Sequence, residues 1–168
     1  TRLTNYLGHS FHLYFTNPGW YDQGRRLLIG SHRENRGNLF GVDLAGGELT
    51  QLTDFEHRAN VQSAFVNPTQ DEAYLWHGRE VTAVDLHSGE RRVVHAAPDG
   101  FEPGNLSVTA DGQHLCLRIG ERVGNSTQAP PPIHRPYHNF AQTLAARPLS
   151  RIVKVALDGS GDEVVWEE

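Results

Sequence analysis

The sequence predicts an all-β protein: a β-propeller of about three four-stranded blades in an incomplete ring. Three observations lead there. A unit made of an apolar strand and a Gly-containing turn recurs as GVDLAGGE at 41–48, AVDLHSGE at 83–90 and KVALDGSGDE at 154–163. A short apolar strand follows each turn, and Leu52 and Val94, in the first two of these strands, lie 42 residues apart. That spacing suits a four-stranded propeller blade, whose repeat is about 40–45 residues. Between the units run short apolar stretches punctuated by Gly, Asn, Asp and Pro, the rhythm of antiparallel hairpins.

Taken in order, Arg2-Leu3-Thr4 resembles the later Gln51-Leu52-Thr53. Residues 1–7 therefore read as the outermost, closing strand of a further blade. The first full blade spans 8–54, with an inner strand over 11–20, a second over 25–30, a turn over 31–37, then strands over 38–44 and 48–53. The second blade spans 55–97, with strands over 60–66, 72–77, 80–86 and 90–95. Asp85, His87 and Gly89 shape its last turn. The third spans 98–168, with strands over 105–109, 113–119, 150–157 and 162–166. It holds an insert at 120–149, Pro-rich at Pro130-Pro131-Pro132 and then aromatic and basic, with a short helix expected over 140–147 before Pro148. Closed propellers have typically four to eight blades, so the remaining blades are expected from a longer parent chain or an assembly partner.

The formal net charge of −5 argues against a nonspecific nucleic-acid partner. No apolar run approaches the roughly 20 residues of a membrane helix, so no membrane partner is expected. The single cysteine, Cys116, lies in an apolar run and reads as a core residue. No nucleophile elbow, phosphate loop or zinc-protease motif is present. His134 and His138 have helical ligand spacing, but Pro136 between them makes a regular helix there a poor expectation.

In a propeller the segments leading into the inner strands open on one face of the disc. Here those segments are 8–12, 55–62 and 101–107. They carry His9 and His12, then His57, Arg58, Asn60 and Gln62, then Glu102 and Asn105. Wet loops are polar in any case, but the set together reads as an anion-accepting mouth. Of these, His9, His12, Arg58, Asn60 and Asn105 are the candidate substrate-binding residues. Arg151 opens the strand after the insert, and its planar guanidinium suits a bidentate carboxylate.

Several of these pieces occur together in a known family. Arg2-Leu3-Thr4, the histidine and aromatic residues of 9–15, Gly24-Arg25-Arg26-Leu27-Leu28, Gln51-Leu52-Thr53, the aromatic insert and the run from Ala146 through Arg151 to Val155 stand in one order. In this the chain resembles the N-terminal part of oligogalacturonate lyase, a seven-bladed propeller enzyme. The resemblance implies a cytoplasmic enzyme that cleaves short oligogalacturonides, an acidic oligosaccharide partner, by β-elimination. A histidine base takes the proton α to the uronate carboxylate, while an arginine and a divalent, manganese-like metal stabilise the enolate-like state. Arg151 resembles that catalytic arginine. The family's base and metal ligands would lie beyond Glu168, so this chain by itself is expected to be inactive and to hold no metal ligand. Two other readings remain open. One is a noncatalytic propeller of the periplasmic translocation-protein type, and the other is the propeller of a serine peptidase.

Overall fold

The computed structural model describes residues 1–57, 59–122 and 145–168. Three antiparallel sheets follow one another along the chain. The first contains β1 (Ser10–His12), β2 (Trp20–Tyr21), β3 (Arg26–Arg33), β4 (Arg36–Asp43) and β5 (Leu49–Gln51). The second contains β6 (Phe65–Val66), β7 (Glu72–His77), β8 (Glu80–Asp85) and β9 (Arg91–Ala96). The third contains β10 (Phe101–Val108), β11 (His114–Glu121), β12 (Ser150–Ala156) and β13 (Asp162–Glu167). Each sheet is a meander in sequence order, the arrangement of propeller blades, and three of them do not close a ring.

Five local details depart from the sequence expectation. The inner strand expected over 11–20 is split, and β1 and β2 pair with different parts of β3. Between them Asn17 turns inward, its side-chain amide donating to the Ala64 carbonyl at 2.9 Å. The turn expected over 31–37 is only two residues long. Glu34 and Asn35 have φ of 54° and 60°, the mirror-image turn that matches strand twist, so Arg33 faces Arg36 and His32 faces Gly37. The strand expected over 60–66 shrinks to β6, preceded by a 3-10 turn at Val61–Ser63. Asn105, expected near a loop mouth, lies inside β10 at a register shift between Pro103 and Leu106. Residues 1–9 form no strand; an outermost strand pairs only with the third strand of its own blade, and none is present for them. The insert at 123–144 lies outside the described residues, with its proline run, His134, His138 and most of the expected helix.

The repeated turn proves to be two copies and a variant. Asp43 Oδ1 accepts from the amides of Ala45 and Gly46, and Asp85 Oδ1 from those of His87 and Ser88. In both, the Gly four residues on has φ near 75°, 74° at Gly47 and 75° at Gly89, and donates to the Asp carbonyl. In the third blade Ala156 takes the first position, and Asp158 instead accepts from the Ser160 amide at 2.9 Å.

Burial explains the strand patterns. In β7, Ala73 and Leu75 pack toward the first blade while Tyr74 and Trp76 pack toward the third. Both faces are dry, so the strand reads as a continuous apolar run. The third blade is buried on one face only, by Leu115, Leu117, Ile119, Val153 and Val155. On its other face Ile152 and Trp166, cross-strand partners, are 38% and 45% exposed.

Polar ties join the blades. Buried Asn67 donates to Tyr74 Oη and to the Gly112 carbonyl of the third blade, both at 3.0 Å. Its own oxygen accepts from the Thr69 amide and hydroxyl. Buried Asn38 accepts from Thr53 Oγ1 at 2.9 Å and from the Phe55 amide at 2.7 Å, fixing the chain as it leaves the first blade for the second.

Replacing Asn67 by Ala strips several buried partners at once. The expected loss is about 1–3 kcal/mol of unfolding free energy, read from urea denaturation; a loss under about 0.5 kcal/mol, the range of inert surface changes, contradicts the network's role. Asp85 yields a second prediction. The Ser88 and His87 amides hold its carboxyl below the ordinary carboxylate range. A depressed folded value means that its contribution is complete above about pH 4 and is lost as pH falls through the folded value. Asp85→Ala is therefore expected to be less stable than the parent at pH 7, with the gap closing in acid. A gap unchanged at pH 2.5 would show that the charge contributes nothing.

Candidate functional site

The segments leading into the inner strands meet at a cleft of about 710 Å³, within the usual size range of ligand pockets. The first blade supplies Phe11, His32 and the hairpin tip at 35–37. The connection at 55–62 supplies Phe55, Glu56, His57 and Asn60 through Gln62. The second blade adds Trp76 and Gly78, and the third adds Pro103 and Gly104. The three expected mouth segments thus do converge, through a partly different set of side chains.

Local packing positions the wall. Gly30 carries no Cβ, and one placed there would lie 2.4 Å from the Phe11 ring. Phe11 therefore lies on the β3 backbone and meets His32 edge-on, with centroids 5.3 Å apart and planes at 82°. Gly37 lies opposite His32, and a Cβ there would meet the ring at 3.4 Å, an ordinary contact. Across the cleft the Asn60 amide donates to the Trp76 carbonyl at 3.1 Å. Phe55 is buried against His77, centroids 4.6 Å apart, and lies under the Arg91 guanidinium at 5.2 Å.

The sequence-derived candidates fall into different places. Asn60 lines the cleft. His9 stands at its edge, its ring 6.4 Å from that of His32. His12 lies outside the lining, with Nδ1 3.1 Å from the Leu13 carbonyl. Asn105 is exposed on β10, also outside it. Glu102 pairs with Arg122 at 3.1 Å. Arg58 lies outside the described residues. Arg151 is at the cleft end of the third blade, because β10 starts and β11 ends there. Its guanidinium donates to Glu167 and stacks 4.4 Å from the Phe101 ring, two residues before Pro103. His32, Arg36 and Trp76 belong to the cleft and escaped the sequence reading because they lie on strands or a hairpin tip rather than on the segments between blades.

The described lining of the cleft holds few carboxylates. Its described lining carries His32, His57 and Arg36 against one carboxylate, Glu56, in a protein of net charge −5. Such a lining, with N–H donors on His32, His57, Arg36 and Asn60, suits a ligand rich in oxygen acceptors.

Among the described residues, the metal-capable grouping of three is Asp22, Asp71 and His87. It lies on the turns at the far end of the blades, and internal bonds already engage it. His87 Nε2 lies 2.8 Å from Asp71 Oδ2, the Asp22 amide donates to Asp71 at 2.9 Å, and Asp22 pairs with Arg25. The Arg25 hydrogen bond lowers the Asp22 carboxyl below its ordinary range. The described cleft residues gather no comparable donor set, so they do not fit a resident metal.

No family model matches the chain. It is 24% identical over 157 residues to the oligogalacturonide lyase of Pectobacterium atrosepticum, a match that covers 92% of this chain and 39% of that protein. Among solved structures it superimposes on an oligogalacturonate lyase from Vibrio parahaemolyticus with a TM-score of 0.85 at 19% identity, covering 99% of this chain and 43% of that one. An oligogalacturonate lyase in complex with manganese gives a TM-score of 0.82 at 23% identity, with the same coverage. TolB from Acinetobacter baumannii is more distant, at 0.57 and 14% identity over 97% of this chain and 33% of that one. These likenesses show a propeller fold. The chain is similar along nearly its whole length to oligogalacturonate lyases, and it spans about two fifths of theirs.

Proposed function

We propose that this chain is the N-terminal part of an oligogalacturonate lyase-like enzyme of the cytoplasm, cleaving short uronate oligosaccharides by metal-assisted β-elimination. The convergence of the three blade-entry segments on one cleft, lined by imidazole, guanidinium and amide donors and a single carboxylate, is the observation that carries it. An acidic sugar matches that lining, and the similarity to oligogalacturonide lyases names the sugar. The weaker likeness to TolB makes a noncatalytic module the less favoured reading.

The chemistry sets what this chain contributes. A proton α to a carboxylate is weakly acidic until positive charge offsets the enolate-like state, so fixed cations near that carboxylate lower the barrier. The cleft end of the three blades supplies binding and orientation. Asn60 and His9 contact the sugar, and Arg151 exchanges its exposed partner Glu167 for a substrate carboxylate. An exposed pair of this kind costs little to break. Arg58, on the same connection as Asn60, joins the proposed substrate-contacting set, while His12 and Asn105 lie outside the lining. A divalent metal, held by residues outside this chain, supplies Lewis-acid charge when bound.

The full-length polypeptide, incubated with manganese and trigalacturonate, is expected to raise ultraviolet absorbance as the unsaturated uronate forms. Arg151→Ala is expected to lower that rate at least 100-fold, the scale of losing one charge-stabilising donor. The 168-residue chain by itself is expected to give no rise. A full-length protein that leaves trigalacturonate intact with metal supplied removes the lyase reading.

A further inference from the structure

The cleft end of the blades carries several arginines, and their partners decide which groups a ligand carboxylate meets first. Arg36 lies 3.7 Å from Asp54, Arg79 2.6 Å from Asp99 and Arg122 3.1 Å from Glu102, while Arg151 pairs with Glu167. Each of these four guanidiniums already faces a carboxylate, while Arg33 and Arg91 stack on aromatic rings and Arg118 donates to the Ser150 hydroxyl. His32 differs. It projects from β3 on the side that faces the second blade, where Phe11, Gly37 and Val61 surround it. Its residue is exposed and its ring has no hydrogen bond or ion pair with any described residue, while the edge-on contact with Phe11 orients it.

We propose that His32 is a specificity-determining residue of this cleft, the group that contacts the carboxylate of a bound uronate and so separates acidic from neutral sugars. The inference rests on the reading of the cleft as a uronate site. An imidazole N–H donates to a carboxylate oxygen in either ring protonation state, and adds charge when doubly protonated. Four groups share its surroundings. His9 stands 6.4 Å from the ring, and His57 and Arg36 line the same cleft. Glu56, in that lining, is the one carboxylate that opposes an anion there. Asn60, across the cleft, offers an amide suited to sugar hydroxyls in acidic and neutral ligands alike. The division of labour is thus a neutral contact on one wall and a carboxylate contact on the other.

Binding of trigalacturonate and of its carboxyl-reduced, neutral counterpart to the full-length protein, with metal chelated so that no turnover occurs, tests this by calorimetry. The unaltered protein is expected to prefer the acidic sugar. His32→Ala is expected to weaken trigalacturonate about fivefold, the scale of an exposed charge-bearing contact, and to leave the neutral sugar unchanged. His32→Gln, which keeps an N–H donor without the charge, is expected to fall between. Asn60→Ala is expected to weaken both sugars. If His32→Ala weakens both equally, or neither, the role of His32 is overturned, while a loss in Asn60→Ala keeps the cleft as the sugar site. If neither sugar binds, or if Asn60→Ala and His57→Ala leave both affinities unchanged, the cleft reading falls and the inference with it.

Discussion

A blade is a sheet with two apolar faces, and each face needs a neighbour. This requirement governs most of the structure. The second blade meets it on both sides, and Tyr74, Leu75, Val81 and Val84 are all fully buried. Packing alone sets how far apart two blades lie but leaves sliding cheap, because apolar contact is non-directional. Directional ties therefore matter. Asn67 bonds the second blade to the Gly112 carbonyl of the third, and the Asp22 amide bonds the first blade to Asp71 of the second. At the outer strands His95, nearly buried, lies 3.0 Å from Asp162. The first two ties lie at the turns between the first and second strands of the blades and the last at the outermost strands, so the second and third blades are held at both their inner and outer sides.

The same constraint decides what could be read from the sequence. Turns with an Asp two or three residues before the amides it caps and a Gly in the left-handed region carry their chemistry locally, so GVDLAGGE and AVDLHSGE announced the blade period. The strands of the second blade matched closely because both faces are apolar and both ends have turn residues. The inner strands did not. Their course depends on partners far away in sequence, such as Ala64 for Asn17 and Gln62 for Tyr14, and nothing within 11–20 announces the break between β1 and β2. The third unit misled in a smaller way, since KVALDGSGDE looks like the other repeats yet caps its turn from Asp158.

The site was legible as a region and not as a list of side chains. Blade topology alone brings the segments at 8–12, 55–62 and 101–107 to one mouth, and they meet there. Which side chains turn inward depends on strand parity, and parity depends on the exact turn. Reading 31–37 as a long turn leaves His32 in a loop with no defined direction. A two-residue turn at Glu34–Asn35 extends β3 and sets His32 opposite Gly37. The signal was available in Asn35, a residue tolerant of positive φ. Asn105 shows the converse: a bulge between Pro103 and Leu106 changes which residues of β10 reach the cleft, and Pro103 and Gly104 take the place given to Asn105.

The distribution of acid groups then explains how a net-negative chain presents a cleft whose described lining has a single carboxylate. At the far end, Asp43, Asp85, Asp111 and Asp158 spend their carboxylates on backbone amides within their own turns. At the cleft end, Asp54, Asp99, Glu102 and Glu167 face arginines. The negative charge is thus held in turns and rim pairs, each with its counterpart close by. Fields from such neutralised groups fall off quickly in salt, within about 10 Å at 0.1 M. What a ligand meets inside the cleft is the residue of that cancellation, two imidazoles and an amide beside a single glutamate. An anion entering there displaces no carboxylate to reach His32, whereas reaching Arg36, Arg79, Arg122 or Arg151 requires exchanging one. On the proposed uronate reading, that asymmetry, set by strand parity on one side and by turn chemistry on the other, gives the first carboxylate contact to the blade wall and leaves Arg151 for a group that arrives later.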